Sequence, residues 1–320
     1  GFGADFAYAV VFAEEMERIG TGLSGIGLHN DIVIPYIESY GTQEQKERWL
    51  PKAVSGEYIS AIAMTEPGTG SDLAAIKTTA VKDGDDYIIN GEKTFITNGY
   101  TADLVIVACR TNPDASSGHN GMSLIVVEAD TPGFSKTKKL NKVGQHANDT
   151  NELVFENVRV PADNLLGEEN KAFYYLMEKL QQERIMLAIQ SIASVDRMIQ
   201  ITLDYVKQRE AFGQTISKFQ NTQFKLAELA TQLKIGRTFV DKLIVDHMAG
   251  KDIVTEVSMA KWWTTDLAQQ VAVDCMQLHG GFGYIEEYEI GRRYRDVAVT
   301  SIYAGTNEIM KVIIAKNLGL

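Results

Sequence analysis

Hydrophobic periodicity changes twice along the chain, and this double switch limits the fold more than any other feature. Residues 1–60 read as helical. Asp5 stands as a cap before Ala7-Tyr8-Ala9-Val10-Val11-Phe12-Ala13-Glu14-Glu15-Met16. Thr42 followed by Gln45 fits a capping box ahead of Lys46-Glu47-Arg48-Trp49-Leu50. The period then shortens over 61–165. Tyr87-Ile88-Ile89, Leu104-Val105-Ile106-Val107-Ala108, Ser123-Leu124-Ile125-Val126-Val127 and Leu153-Val154-Phe155 are short β-rich runs. Turn clusters such as Asp83-Gly84-Asp85-Asp86 and Thr131-Pro132-Gly133 separate them. Several short strands with no long helix between them predict an antiparallel barrel or sandwich. Long helices return from residue 168. Ile253, Val257, Ala260, Trp263, Leu267, Val271, Cys275 and Leu278 step by 4, 3, 3, 4, 4, 4 and 3, as one helix face requires. Gly280-Gly281 ends that helix. Similar patterns over about 170–208 and 217–249 predict a bundle. The expected fold is α+β and mainly α: an N-terminal helical domain (1–60), a middle β domain (61–167) and a C-terminal helical bundle (168–320).

Composition narrows the function. A chain of 320 residues, 45% of them hydrophobic, can bury a large core in two or three packed units. The 31 basic residues against 42 acidic ones give a net charge of -11, with no basic face for nucleic acid. An acidic surface favours solubility and can meet a basic partner. Two cysteines, Cys109 and Cys275, make no disulfide framework and point to a reducing compartment. The five histidines show no metal-ligand spacing, so no metal is expected. No apolar run approaches the length of a membrane span, and no signal peptide is visible. The start at Gly1-Phe2-Gly3, without Met, reads as a trimmed chain.

Two local patterns carry chemistry. Thr65-Glu66-Pro67-Gly68-Thr69-Gly70-Ser71 combines backbone freedom with hydroxyl groups, so it can approach a planar ring closely; the plainer alternative is a β-turn with structural hydroxyls. Leu176, Leu180, Glu183 and Leu187 step by 4, 3 and 4, which sets one carboxylate among three leucines. A charge in an apolar stripe is costly unless paired or functional. A salt bridge to a buried arginine is the structural alternative to a functional acid.

Longer motifs decide between these alternatives. Ala63-Met64-Thr65-Glu66-Pro67-Gly68-Thr69-Gly70-Ser71-Asp72 resembles one signature of the acyl-CoA dehydrogenase family. Gln277-Leu278-His279-Gly280-Gly281-Phe282-Gly283-Tyr284, with Arg292-Arg293-Tyr294-Arg295-Asp296 and Ile302-Tyr303-Ala304-Gly305-Thr306-Asn307-Glu308-Ile309, resembles another. Lys207-Gln208-Arg209-Glu210-Ala211-Phe212-Gly213-Gln214 is similar to the family's arginine–phenylalanine turn. The similarity runs through all 320 residues in order, and is closest to the long-chain and isovaleryl branch. It implies an N-terminal helical domain, a middle β domain and a C-terminal four-helix bundle. Family members carry several dozen further residues before the point matching Gly1, so the first domain is expected to be incomplete.

The resemblance also implies the ligands. FAD is the expected cofactor. Met64, Thr65 and Ser71 would line its isoalloxazine and the acyl-CoA, with Phe95-Ile96-Thr97 beside the ring. Arg209 and Gln220 would grip the pyrophosphate and adenosine end, near Phe212, because an arginine fork suits phosphate. Gln277, Gly280 and Gly281 would reach a neighbouring subunit's cofactor, and Thr306, Asn307 and Glu308 open the last helix, where phosphate binds well. These shared sites imply a homo-oligomer, a tetramer built as a dimer of dimers.

The reaction implied needs a base for the proton beside the thioester carbonyl, donors for the enolate-like oxygen, and an acceptor for hydride from C3. The common family arrangement places a glutamate just after the tyrosine of Tyr303-Ala304-Gly305-Thr306, but Ala304 occupies that position and cannot take a proton. In the long-chain and isovaleryl branch the base lies on an earlier helix before an arginine, and Glu183 in Gln182-Glu183-Arg184 fits. The Ala304 backbone N–H would bind the thioester oxygen, Arg184 would support the base, and Tyr174, Ser71 and Gly305 would touch acyl-CoA. The implied activity is conversion of a fatty acyl-CoA to trans-2-enoyl-CoA, with electrons passed to electron-transfer flavoprotein. The rivals are an acyl-CoA oxidase, usually a longer chain, and a non-catalytic scaffold or assembly relative. The expected compartment is the cytoplasm in a bacterium and the mitochondrial matrix in a eukaryote.

Overall fold

The expected helix boundaries are set by local chemistry. In the computed structural model, which describes residues 3–20, 22, 24–115 and 118–320, helix α1 (Phe6–Ile19) starts where the Asp5 carboxylate accepts the Ala7 N–H, and stops at the left-handed Gly20. Helix α2 (Ser24–Gly27) runs through a π-helical stretch (Leu28–Val33) into α3 (Ile34–Tyr40). Helix α4 (Gln43–Ser55) begins with the full Thr42–Gln45 capping box.

Eight strands follow: β1 (Ser60–Ala63), β2 (Thr79–Asp83), β3 (Asp86–Thr97), β4 (Leu104–Arg110), β5 (Met122–Glu128), β6 (Phe134–Lys139), β7 (Thr150–Pro161) and β8 (Leu165–Leu166). They form one sheet in the order β6-β7-β3-β2-β4-β5-β8, with β1 on β4. Most pairs are antiparallel, as expected, but β1 and β2 run parallel to β4. The β2–β3 hairpin lies in the connection between β1 and β4, and a crossover of that length permits parallel pairing. Strands β4 and β5 explain the unbroken apolar runs, because both faces are covered. Val105, Val107, Ile125 and Val127 enter one core with Tyr87, Leu153 and Phe155, while Leu104, Ile106, Leu124 and Val126 enter another with Trp49, Tyr36 and Leu176.

The remaining elements are α5 (Ala172–Gln208), the short pair β9 (Glu210–Ala211) and β10 (Gln214–Thr215), α6 (Gln220–Met248), α7 (Val254–His279), α8 (Glu289–Asp296) and α9 (Asn307–Asn317). The core joins Ile185, Ile189, Ile192 and Ile199 of α5 to Leu229 and Val240 of α6 and to Val257, Leu267 and Val271 of α7. The helices approach closely at Gly236, where a Cβ would lie 2.6 Å from the Trp263 ring and 2.7 Å from Ile192. Helix α7 is buried on more than the predicted face: Lys261, Thr264, Thr265, Ala268 and Ala272 are buried as well.

The chain forms two compact units. Among the described residues, the first comprises 24–115, 118–142 and 146–180; the second comprises 3–20, 22, 143–145 and 181–320. The sheet and α2–α4 belong to the first, and α1 belongs to the second with α6–α9.

Candidate active site

In the first unit, the loop after β1 is tied into a tight turn. Glu66 and Thr69 exchange two backbone hydrogen bonds, of 2.9 and 3.0 Å. The buried Glu66 carboxylate accepts the Lys77 N–H at 2.6 Å, the Thr78 N–H at 2.9 Å and the Lys93 ammonium at 2.9 Å. Burial pushes the Glu66 carboxyl up, but the Lys93 charge and the Thr78 and Lys77 donors outweigh this and hold it below its usual value. Lys93 also donates to the Met64 carbonyl at 2.9 Å. The Thr94 N–H donates to the Thr65 carbonyl at 2.9 Å, which ties the loop to β3.

The next residue, Phe95, sits at a register shift with φ 60° and is 67% exposed. A non-glycine residue at positive φ is strained and persists only where its surroundings hold it. Ile96 is buried in the core, Thr97, Met64 and Thr65 are half-buried, and Ser71 is exposed. A Cβ on Gly68 or Gly70 would meet no heavy atom within 4 Å. An open glycine loop beside an exposed aromatic ring fits a planar group such as isoalloxazine. The Glu66–Lys93 pair escaped the sequence reading. The strand alternation carried the signal, because Lys93 shares its face of β3 with Tyr87 and Ile89.

In the second unit, Glu183 and Arg184 lie on α5, each only 5% exposed. Burial pushes the Arg184 guanidinium below its usual value, and the Glu183 charge opposes the shift. The Arg184 Nε is buried without a hydrogen-bond partner. A Cβ built on Gly305 would lie 3.9 Å from an Arg184 guanidinium nitrogen, so the Tyr303–Asn307 turn sits beside the α5 pair. In that turn Ala304 has φ 54° and Gly305 φ 84°. Among the described residues the Ala304 N–H makes no hydrogen bond.

Sequence reasoning missed the group beneath this turn. Lys261 of α7 is fully buried and donates to the Gly305 carbonyl and to Asn307 Oδ1, both at 2.8 Å. Burial, and next the Arg184 charge, push Lys261 down to about 8. A lysine three residues past Ser258, in a helix otherwise rich in small and apolar residues, was the available signal.

Asn307 was expected to face the cofactor. Its side chain is instead turned inward, 4% exposed, with its amide nitrogen donating to Thr265 at 3.0 Å and to Asp266 at 2.7 Å. Full satisfaction by Lys261, Thr265 and Asp266 makes it a brace of the turn. Thr306 caps α9 through the Ile309 N–H, and the exposed Glu308 is held below its usual value by its own helix amide and by Thr306.

The other expected ligand residues lie on exposed surface. The Arg209 guanidinium stands 5.6 Å from the Phe282 ring centroid. Phe212 is 96% exposed with φ 52°. Gln220 opens α6, and Gln277, Gly280 and Gly281 are exposed at the end of α7. Tyr174, in the first unit, is exposed and donates to Asn120 Oδ1 at 3.1 Å.

Comparison with known proteins supplies the family. The models of the acyl-CoA dehydrogenase N-terminal, middle and C-terminal domains match residues 1–57, 61–158 and 170–319. The chain is 50% identical over 319 residues to the mitochondrial long-chain specific acyl-CoA dehydrogenase of Sus scrofa, covering 99% of this chain and 74% of the relative. It is 39% identical over 320 residues to the mitochondrial isovaleryl-CoA dehydrogenase of Oryza sativa subsp. japonica, covering 99% and 78%. A crystal structure of an acyl-CoA dehydrogenase from Geobacillus kaustophilus superposes with a TM-score of 0.99 at 66% identity, over 100% of this chain and 84% of that one. The chain therefore belongs to the acyl-CoA dehydrogenase family, and is an oxidoreductase that dehydrogenates acyl-CoA.

Proposed function

We propose that the protein removes one hydrogen from C2 and one from C3 of a fatty acyl-CoA, giving trans-2-enoyl-CoA, with FAD as its cofactor. One observation carries this reading: Glu183, the only carboxylate of its apolar helix stripe, is buried beside a buried arginine, where a base shielded from water is needed. Glu183 would take the C2 proton. The Ala304 N–H would donate to the thioester oxygen as negative charge gathers there, and its lack of another partner leaves it available. Arg184 would hold positive charge next to the base.

Met64, Thr65, Ser71, Phe95 and Thr97 would hold the flavin ring, and Arg209, Phe212, Gln220, Gln277, Gly280, Gly281, Thr306 and Glu308 its phosphate and adenosine parts. When bound, FAD supplies the acceptor for the hydride that leaves C3. The exposed Phe212 and Tyr284 rings support assembly into a homotetramer, a dimer of dimers. The proposed electron acceptor is electron-transfer flavoprotein. No helix among the described residues is long and apolar enough to cross a membrane.

Anaerobic mixing of the flavin-loaded protein with an acyl-CoA tests the reading. Bleaching of the flavin absorbance is expected, and an unchanged spectrum would count against it. Fast hydrogen peroxide production in air would instead assign oxygen as the acceptor. Initial rates over a chain-length series identify the acyl group.

A further inference from the structure

Two consecutive left-handed residues are expensive to hold. Ala304 at φ 54° costs on the order of 1–2 kcal/mol, because its Cβ crowds the following carbonyl. Gly305 tolerates φ 84° by having no Cβ. The turn therefore needs something to fix it, and the Lys261 ammonium is hydrogen-bonded to it. The ammonium reaches it from α7 and holds its middle and its last residue, the Gly305 carbonyl and Asn307 Oδ1, at 2.8 Å each. Asn307 is fixed in turn by Thr265 and Asp266 of the same helix.

An ammonium with no exposed surface is costly. A chain needing only a helix contact would fill this position with an apolar side chain. The two hydrogen-bond partners of Lys261 are also a backbone carbonyl and a side-chain amide rather than an acid. That carbonyl belongs to the Gly305–Thr306 peptide, two peptides beyond the one that carries the Ala304 N–H, and the left-handed dihedrals of Ala304 and Gly305 link them, so holding the carbonyl constrains the direction of that N–H.

We infer that Lys261 is a positioning residue for the reaction: by gripping the Gly305 carbonyl and Asn307 it aims the Ala304 N–H at the thioester oxygen. The inference rests on the function proposed above. Lys261 touches neither substrate nor cofactor in this scheme and acts through the turn.

The test uses the flavin-loaded protein with Lys261→Met, which keeps the side-chain length and removes the donor, and Lys261→Gln, which keeps a donor of shorter reach. In K261M, kcat is expected to fall about 100-fold while KM changes by less than about threefold, as for loss of one oxyanion donor. The readout besides turnover is the infrared band of a bound 2-enoyl-CoA carrying a 13C-labelled thioester carbonyl. Wild type should shift that band to lower frequency relative to the free thioester, K261M should lose most of the shift, and K261Q should recover part of it. If K261M does not fold, K261Q alone decides: a band displaced toward the free position supports the inference, and an unmoved band overturns it. A wild type that fails to bleach with acyl-CoA would overturn the proposed function and this inference with it. A bleaching wild type with unmoved bands in both variants would overturn this inference alone.

Discussion

The Lys93 ammonium lies 2.9 Å from a Glu66 carboxylate oxygen, and both side chains are buried. The pair pins the glycine loop from two sides, because Lys93 also holds the Met64 carbonyl and Glu66 holds the Lys77 and Thr78 amides. Lys93→Met would leave a buried carboxylate facing only two neutral donors. It should destabilise the protein by about 3–5 kcal/mol, whereas the double variant with Glu66→Gln should cost less than the sum of the single changes. Urea unfolding of the four proteins measures the coupling. Purified K93M should also retain less flavin, since the loop loses its brace.

Glu183→Gln preserves shape and removes the proton acceptor. Turnover should fall by about 10²–10⁴, with flavin content and unfolding midpoint close to wild type. Stopped-flow reduction at saturating acyl-CoA isolates the chemical step. A variant that reduces at the wild-type rate would remove Glu183 from the mechanism.

Much of this arrangement was legible beforehand, for identifiable reasons. The Asp5 cap acts over two residues and the Thr42–Gln45 box over three, so sequence spacing alone located them. Glu183 stood out because a single period, that of α5, places it among leucines. Lys93 and Lys261 were harder, because their partners are distant in sequence: Glu66 lies 27 residues away and Gly305 44. The inward turn of the Asn307 side chain was hidden for a related reason. A helix N-terminus suggests an anion site, and only the packing of α9 on α7 turns that side chain inward. The parallel pairing of β1 with β4 was likewise invisible to strand periodicity, which reports faces and not neighbours.

Gly305→Ala separates backbone strain from loss of contacts. At φ 84° an alanine costs roughly 1–2 kcal/mol, and its Cβ would lie 2.9 Å from the Met310 methyl, the mobile end of a flexible side chain. Thermal unfolding should register that modest loss. Turnover should fall further than stability alone explains, because relaxing φ at 305 rotates the peptide that Lys261 holds. Equal kcat in both proteins at a temperature where both are folded would show that the turn's conformation is immaterial to the reaction.

Lys261 makes stability depend on alkaline pH. Its folded value is about 8 against an ordinary 10.5. Burial and the facing Arg184 lower it, while Asp266 and Glu308 oppose the shift. Between those values the unfolded chain binds more protons than the folded one, so stability rises with pH across the window. As pH falls through 8 that gain is lost, and below 8 the full cost of charging a buried amine remains. From pH 7.5 to 9.5 this single group contributes roughly 2 kcal/mol in favour of the folded state. Other groups titrate in the same range, so the comparison is with K261M measured at the same two pH values. The unfolding free energy of wild type minus that of K261M should move toward wild type as pH rises. A constant difference would mean that Lys261 stays fully charged in the folded protein up to its ordinary value, held there by Asp266 and Glu308 despite its burial.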